Sequence, residues 1–249
     1  MVDLELSSLL TIVAALMLGG LMKGAIGMGT PVLAVPVMAA FVDVKLAVVI
    51  MVIPNLATNI WQIVQFGQHR LGSKFAEVFA AGGALGAFVG TLFLVALPVR
   101  ALTLLLAFTV LLYIALRLLR PDFRLAHPSA RKLALPASTA AGILQGAAGI
   151  SAPIAVSFLN AMRLKREEFI ATISIFFAAM SLAQIPTLIW FGLLTTSTTA
   201  LGFAAMIPIF AGMPIGGLLA RHMTATAFDR VVLVLLGVLA LRLLWVASS

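Results

Sequence analysis

The chain has no cysteine, only eight acidic residues and a single tyrosine among its 249 residues. The absence of cysteine excludes disulfides, thiolate metal sites and any sulfur chemistry carried by a cysteine. Charged residues make up 10% of the chain, hydrophobic residues make up 63%, and the mean hydropathy is +1.19. Because a soluble domain of this size could not cover its surface with so few polar groups, the composition predicts an all-α integral membrane protein with several spans.

The net charge of +8 would suit a nucleic-acid partner, but the placement of the basic residues argues against one. Most of them lie in short loops between apolar runs, where positive charge orients a membrane protein. We therefore expect membrane lipid around the chain and no nucleic acid. The three histidines lie in loops without ligand spacing, so the sequence predicts neither a metal site nor a cofactor.

Apolar runs divide the chain into two similar halves, residues 1–119 and 133–249, which a polar cytoplasmic linker at 120–132 joins. Each half begins with an apolar stretch that glycines interrupt, at residues 6–42 and 133–162. We interpret these stretches as re-entrant or deep helical hairpins with short arms. The other runs are long enough to cross a bilayer: about 46–66, 75–97 and 101–119, then about 169–194, 200–220 and 228–245.

The first break combines three features within a few residues. Gly24 and Gly27, with Gly29 next, permit a sharp turn or a close approach of the backbone to a ligand. Thr30 followed by Pro31 is typical of a helix start, a hydroxyl cap with proline in the first turn. Lys23 adds a positive charge beside that new helix N-terminus, which predicts an anion site inside an apolar protein. The alternative is a lysine that snorkels from a helix end to the lipid headgroups.

The second break matches the first at a displacement of 122 residues (145 minus 23). The displacement aligns Gln145, Gly146, Gly149, Ser151 and Pro153 with Lys23, Gly24, Gly27, Gly29 and Pro31. It also aligns Ser181 with Asn59 and Gln184 with Gln62. A displacement of 130 (212 minus 82) aligns small residues of two later spans, Gly82, Gly86 and Gly90 with Gly212, Gly216 and Ala220. We interpret these small residues as close-packing seams and the ordered matches as an internal duplication.

Most basic residues lie in the loops at 69–74, 117–132, 163–166 and 221–222, which we assign to the cytoplasm. Each half then contains one hairpin and three spans, and an odd number of spans turns the second half upside down. The sequence therefore predicts an inverted-topology repeat, with both termini in the periplasm and the two hairpin tips meeting near the membrane centre.

Two spans carry polar residues at helical spacing. Asn55, Thr58, Asn59 and Gln62 share one face, and Ser174, Ser181 and Gln184 make a matching face in the second half. Such residues either hold helices together or line a polar cavity, and their alignment with the two hairpins favours the cavity. The predicted substrate-binding residues are Lys23, Gly24, Gly27, Gly29, Thr30, Pro31, Asn55, Asn59, Gln62, Gln145, Gly146, Gly149, Ser151, Ser181 and Gln184.

The pattern G-x-x-K-G-x-x-G-x-G-x-P at residues 20–31, its QG-x-x-G counterpart at 145–149 and the eight-segment hydropathy resemble the sulfite exporter TauE/SafE family, also called the 4-toluene sulfonate uptake permease family. The resemblance covers nearly the whole chain. It implies a bacterial inner-membrane transporter of a small sulfur-containing anion such as sulfite, sulfoacetate or another organosulfonate. Ser151 departs from the glycine pattern, which leaves the identity of the substrate open.

The resulting hypothesis is a secondary transporter that works by alternating access and holds its anion between the two hairpin tips. A passive anion channel is one alternative, and saturation and coupling of flux would separate the two. A membrane enzyme built from inverted hairpins is another. It would need clustered carboxylates, or an arginine or histidine beside a nucleophile, and neither break contains an acidic residue. The direction of transport, the driving force and the oligomeric state are not predicted.

Overall fold

The computed structural model describes residues 5–28, 30–72, 74–119, 124–219 and 225–248, which fold into helices joined by short turns. Gly29, Ala220 and the basic pair at 221–222 lie outside the described residues. The helices are α1 (Leu6–Ile26), α2 (Thr30–Ala39), α3 (Val44–Phe66), α4 (Phe75–Ala96), α5 (Val99–Leu119), α6 (His127–Ala148), α7 (Ala152–Ala161), α8 (Arg166–Trp190), α9 (Thr196–Leu219) and α10 (Ala225–Ser248). A single 3-10 turn, Gly67–His69, follows α3.

Six of the described helices are long and apolar enough to cross a membrane: α1, α3, α4, α5, α8 and α9. α6 is of similar length, with 22 residues, and begins at His127, inside the stretch predicted as a linker. Pro128 suits the first turn of a helix, so residues 127–132 join the helix instead of the loop.

The two interrupted stretches each form one long and one short helix, where short arms were expected. α1 has 21 residues and α2 has 10, which correspond to about 32 Å and about 15 Å. α1 ends at Gly27 and α6 ends at Gly149, with φ angles of +82° and +74°. Each glycine adopts the left-handed conformation that ends a helix without strain.

Glycine seams join each half to the other. α1 packs in parallel against α9, where a Cβ on Gly212 or Gly216 would collide with the backbone of Leu21. α4 packs in the same way against α6, where a Cβ on Gly86 or Gly90 would collide with the backbone of Ile143. Such close approach of two backbones requires residues without a side chain.

The two seams repeat the same contacts, because Leu21 and Ile143 are 122 residues apart (143 minus 21). Their glycine partners Gly90 and Gly216 are 126 apart (216 minus 90), and so are Gly86 and Gly212. The displacement of 130 predicted for these glycines therefore differs from the observed contacts by one helical turn. Small residues recur every fourth position in both helices, which makes registers one turn apart look alike in the sequence.

α3 and α8 occupy the centre of the molecule. In the most apolar part of each helix, 61% of the residues of α3 and 67% of those of α8 are buried, against at most 44% in the other spans of the described chain. The pair runs antiparallel, since Asn55 contacts Ser181 whereas Gln62 contacts Ser174. α4 and α9 pack along this pair and α5 and α6 also contact it, so polar side chains on its shared face are removed from both lipid and bulk water.

Candidate functional site

The polar faces of α3 and α8 meet as expected and bond to each other. Asn55 Nδ2 donates to Ser181 Oγ (3.0 Å), and Ser174 Oγ donates to Gln62 Oε1 (3.0 Å). Asn59 Nδ2 donates to Asn55 Oδ1 (3.0 Å), which extends the network along α3. These side chains are at most 3% exposed. The spacing in the sequence therefore identified a buried polar layer at the contact of the two central helices.

Lys23 reaches this layer from the last turn of α1. Its side chain is 1% exposed, and its Nζ donates to Asn59 Oδ1 at 2.8 Å. The ammonium also lies 5.8 Å from the ring centroid of Phe177. In the described part of the chain no carboxylate pairs with it. Snorkelling does not describe this lysine, because its nitrogen points into the protein and its positive charge lacks a counter-charge.

The local fold explains how Lys23 comes to lie there. Long side chains on a helix point back toward its N-terminus, so a lysine near the end of α1 reaches toward the middle of the molecule. Gln62 Nε2 donates to the Lys23 carbonyl (3.3 Å), which fixes this turn of α1 against α3. We call Lys23, Asn59, Gln62 and Ser174 the Lys23 layer.

α2 begins deep beside α1, not at the tip of the hairpin. Thr30 packs against Gly19, two turns before the end of α1, and its Oγ1 donates to the Gly19 carbonyl (3.2 Å). The Thr30 hydroxyl therefore joins the two helices, and the prediction that it caps α2 was wrong. Gly19 is one turn before Lys23, so the N-terminus of α2 lies close to the level that the lysine side chain reaches. The first N–H groups of a helix have no partner within it and suit an anion.

The second half supplies a corresponding but different set. Gln145, Ser151 and Gln184, which we call the Gln145 layer, are at most 5% exposed. Each has one buried polar atom without a hydrogen-bond partner in the described structure: Gln145 Oε1, Ser151 Oγ and Gln184 Nε2. Ser151 occupies the N-cap position of α7 but makes no capping bond.

The glycine turns do not meet at the centre. Gly27 packs against Ile170 at the start of α8, and Gly149 packs against Val48 at the start of α3. Because α3 and α8 are antiparallel, these two starts lie at opposite ends of the pair. Ile170 and the residue of α8 that lies opposite Val48 are about 18 residues apart, which corresponds to roughly 27 Å along the helix. The prediction that the hairpin tips meet and hold a substrate between them is therefore wrong, and the buried polar layers lie between the two turns.

The remaining predicted glycines have backbone roles in this structure. A Cβ on Gly24 would collide with the Met213 carbonyl, and one on Gly146 would collide with the Ala87 carbonyl. These two glycines thus bring α1 against α9 and α6 against α4, while Gly27 and Gly149 end their helices. Pro31 is buried within the first turn of α2.

Arg166 makes a contact that the sequence did not predict. Its Nη2 donates to the carbonyl oxygens of Ala25 (3.1 Å) and Gly24 (3.4 Å) at the end of α1. A cation is favourable at a helix C-terminus, where carbonyl groups lack partners within the helix. At the other end of the molecule Arg242 donates to the Ala40 carbonyl (3.1 Å) and lies over the Phe41 ring. Nothing in the spacing of either arginine indicates these partners.

The arrangement places one ammonium, several amides and a hydroxyl together in a buried layer. No group of three or more His, Cys, Asp or Glu residues in the described chain could hold a metal ion.

A family model described as sulfite exporter TauE/SafE matches residues 12–243, nearly the whole chain. The chain belongs to the sulfite exporter TauE/SafE family. Comparison with curated proteins and with solved structures gives no match. TauE/SafE proteins form a transporter family and not an enzyme family, and together with the six apolar helices this membership makes the chain a multi-pass membrane transport protein.

Proposed function

We propose that this TauE/SafE protein is a secondary transporter that moves a small sulfur-containing anion, such as sulfite, sulfoacetate or another organosulfonate, by alternating access. The observation that carries the proposal is the buried Lys23 ammonium, which among the described residues donates to one neutral amide oxygen, Asn59 Oδ1. A buried charge without a counter-charge is costly, and a bound oxyanion removes that cost.

The substrate would bind in the Lys23 layer. Lys23 offers one full positive charge, and the amides of Asn55, Asn59 and Gln62 line the same face of α3. A sulfonate or sulfite carries several acceptor oxygens on one small group, so it can take hydrogen bonds from the ammonium and from the helix N-terminus beside it. The single lysine favours one anionic group over two.

An inverted-topology repeat in a bacterial inner membrane is the architecture we propose for transport. The equivalent contacts of the two glycine seams and the antiparallel packing of the equivalent helices α3 and α8 support it. Arg242 of α10 lies beside the end of α2, which returns toward the level where α1 begins, so both termini belong to the same side. With the basic loops in the cytoplasm, that side is the periplasm.

Alternating access would use the two ends of the α3–α8 pair. The Gly27 turn lies at one end and the Gly149 turn lies at the other, with the buried polar layers between them. Movement along one glycine seam would open the layer to the cytoplasm, and movement along the other would open it to the periplasm. Small residues suit such a sliding contact because they have no side chains that interlock.

The proposal is tested by counterflow in proteoliposomes. Vesicles would be loaded with one unlabelled compound: sulfite, sulfate, sulfoacetate, taurine or acetate. The measurement is whether that compound drives accumulation of radiolabelled sulfite from outside. A carrier gives saturable, trans-stimulated uptake, which we expect with one or more sulfur oxyanions and not with acetate.

Lys23→Gln should abolish this uptake. Lys45→Gln is the matched control, since Lys45 lies at the start of α3, donates to the Val95 carbonyl (3.0 Å) and is far from the layer. Non-saturable flux without trans-stimulation would identify a channel instead, and the absence of any sulfur-anion flux would refute the proposed substrate class.

A further inference from the structure

The unpartnered atoms of the Gln145 layer require an explanation of their own. Gln145 Oε1, Ser151 Oγ and Gln184 Nε2 are buried and make no hydrogen bond to the part of the chain that the structure describes, on residues that are 5%, 1% and 2% exposed. Buried polar atoms without partners lower stability, so native proteins rarely keep them unless a ligand or water supplies the partner. Three in one layer indicate a place that a polar ligand occupies.

Gln184 and Gln145 lie at the same level of the molecule, and Ser151 follows two residues after the Gly149 turn. Gln184 is one turn beyond Ser181 on α8, toward the end where Gly149 packs against Val48. Gln145 is one turn before Gly149 on α6, and the Gly149 N–H donates to its carbonyl. α6 and α8 run parallel, because each runs parallel to α4. Gly86 and Gly90 of α4 pack against Thr139 and Ile143 of α6 in ascending order. Phe79 and Gly83 pack against Phe176 and Met180 of α8 in the same sense.

A helix N-terminus completes the layer. Ser151 is the N-cap residue of α7, but its hydroxyl is not used for capping. In the first turn of α7, Pro153 has no N–H and the Ile154 N–H donates to the Ser151 carbonyl (3.2 Å), so of these residues Ala152 offers an N–H that suits the oxygen of an anion. The Ser151 hydroxyl and the Gln184 amide add two further donors that the protein leaves free.

The layer has no charge, in contrast to the Lys23 layer. α7 carries no ionisable residue, those of α6 lie in its first two turns at His127, Arg131 and Lys132, and those of α8 lie in its first turn at residues 166–168. Without a counter-charge the layer would reject a doubly charged anion more strongly than a singly charged one. Gln145 Oε1 is solely an acceptor, so it fits a ligand that itself carries an O–H or N–H group.

A chain of hydrogen bonds leads from the Lys23 layer toward the Gln145 layer and ends at Ser181, one turn before Gln184. It runs from Lys23 Nζ to Asn59, from Asn59 to Asn55 and from Asn55 to Ser181, and Gln184 follows one turn later. The layers are therefore successive places along one polar path, too far apart for a small anion to touch both at once.

We propose that Gln145, Ser151, Gln184 and the N-terminus of α7 form a second, uncharged binding station for the transported anion, and that this station selects singly charged anions with their own hydrogen-bond donor. The inference rests on the proposed transport function. The Lys23 layer determines whether an anion binds, and the second station determines which bound anions pass.

Sulfamate and methanesulfonate are the matched probes, because both carry one negative charge and have nearly the same shape, but only sulfamate has N–H donors. In proteoliposomes that contain the full chain, we expect sulfamate counterflow to exceed methanesulfonate counterflow by about fivefold, as one buried hydrogen bond would produce. Gln145→Leu should reduce this ratio to about one, and Gln68→Leu, the same change at an exposed site, should leave it unchanged. The dissociation constants of both anions, measured by calorimetry on purified protein, should stay unchanged in Gln145→Leu.

Three results would overturn the inference: equal flux of the two probes in the wild type, an unchanged ratio in Gln145→Leu, or a loss of binding together with flux. In the first two cases Lys23-dependent binding would survive, so the proposed function would stand without the second station. If neither probe binds or moves, the proposed function and the inference both fail. Ser151→Ala provides a second variant with a smaller change of volume: it removes a donor that both anions can use, so it should lower the flux of both probes and leave their ratio unchanged.

Discussion

The Lys23 layer and the Gln145 layer occupy equivalent positions in the two halves but differ in charge and in hydrogen bonding. In the first, Gln62 donates to the Lys23 carbonyl and accepts from Ser174, so both ends of its amide have a partner. In the second, the equivalent Gln184 has a free Nε2 and the neutral Gln145 replaces the lysine. The two halves thus provide one charged layer, in which Lys23 has no counter-charge within the described chain, and one uncharged layer with unpartnered polar atoms.

The largest difference between the two layers is expected when the positive charge of Lys23 alone is removed. Lys23→Gln makes the first layer resemble the second, and we expect sulfite affinity to fall about 100-fold, because hydrogen bonds to charged groups contribute more than neutral ones. Gln145→Leu should leave the affinity within about twofold, since an uncharged group contributes less to binding an anion. Calorimetric titration of both purified variants measures the difference, and equal losses would remove the distinction between the layers.

A second change supplies the lysine with an internal counter-charge. Asn59→Asp would place a carboxylate where the amide oxygen now accepts from Lys23 Nζ at 2.8 Å. The resulting ion pair competes with the substrate, so we expect anion affinity to fall about tenfold or more while the unfolding temperature in detergent is kept or raised. Tighter anion binding in this variant would contradict a site that depends on an unneutralised ammonium.

The two glycine seams should respond alike to substitution, whereas the two polar layers should respond differently. Gly216→Ala and Gly90→Ala each place a methyl group against a backbone carbonyl, of Leu21 and Ile143 respectively. We expect each to cost about 1–3 kcal/mol of stability, as overpacking does. Gly217→Ala is the matched control on α9, because the nearest atom to its Cβ is the Gly24 carbonyl oxygen at 3.8 Å, an ordinary contact. Thermal unfolding in detergent compares the three, and a harmless Gly216→Ala would refute the close packing of this seam.

The smallest expected effect is a difference in stability between alanine variants of two serines. Ser174→Ala removes the donor to Gln62 Oε1 and leaves that oxygen buried, which should cost about 1–2 kcal/mol. Ser151→Ala removes a hydroxyl that has no partner, so the stability of the substrate-free protein should not fall. Unfolding temperatures of the two variants without added anion measure this contrast, and equal losses would show that both hydroxyls are equally engaged.

Sequence patterns predicted those parts of the site that depend on helical spacing. Asn55, Asn59 and Gln62 on α3, with Ser181 and Gln184 on α8, face one another because residues three, four and seven apart share a side of a helix. Lys23 was recognisable because a charge inside an apolar run is costly unless it has a function. The glycines at seams and turns were recognisable because few other residues permit such geometry.

The sequence could not show how far each interrupted helix extends. Gly27 ends α1 only after 21 residues, and α2 returns to Gly19 before it begins, so the turns pass beyond the centre instead of meeting there. The length of a helix before a glycine depends on packing against other helices, here α8 and α9, which no local pattern encodes. The same holds for Arg166, whose partners on α1 lie about 140 residues away in the chain.

The most direct test is to locate a bound anion. Selenite has the shape and charge of sulfite, and its selenium scatters anomalously, so a crystal structure of the full chain with selenite would place the ion without ambiguity. The account predicts an anomalous peak within hydrogen-bond distance of Lys23 Nζ, in the buried layer between α3 and α8, and no peak there in Lys23→Gln. A peak at a loop or at the glycine turns, with the Lys23–Asn59 bond unchanged and no ion beside it, would contradict the account.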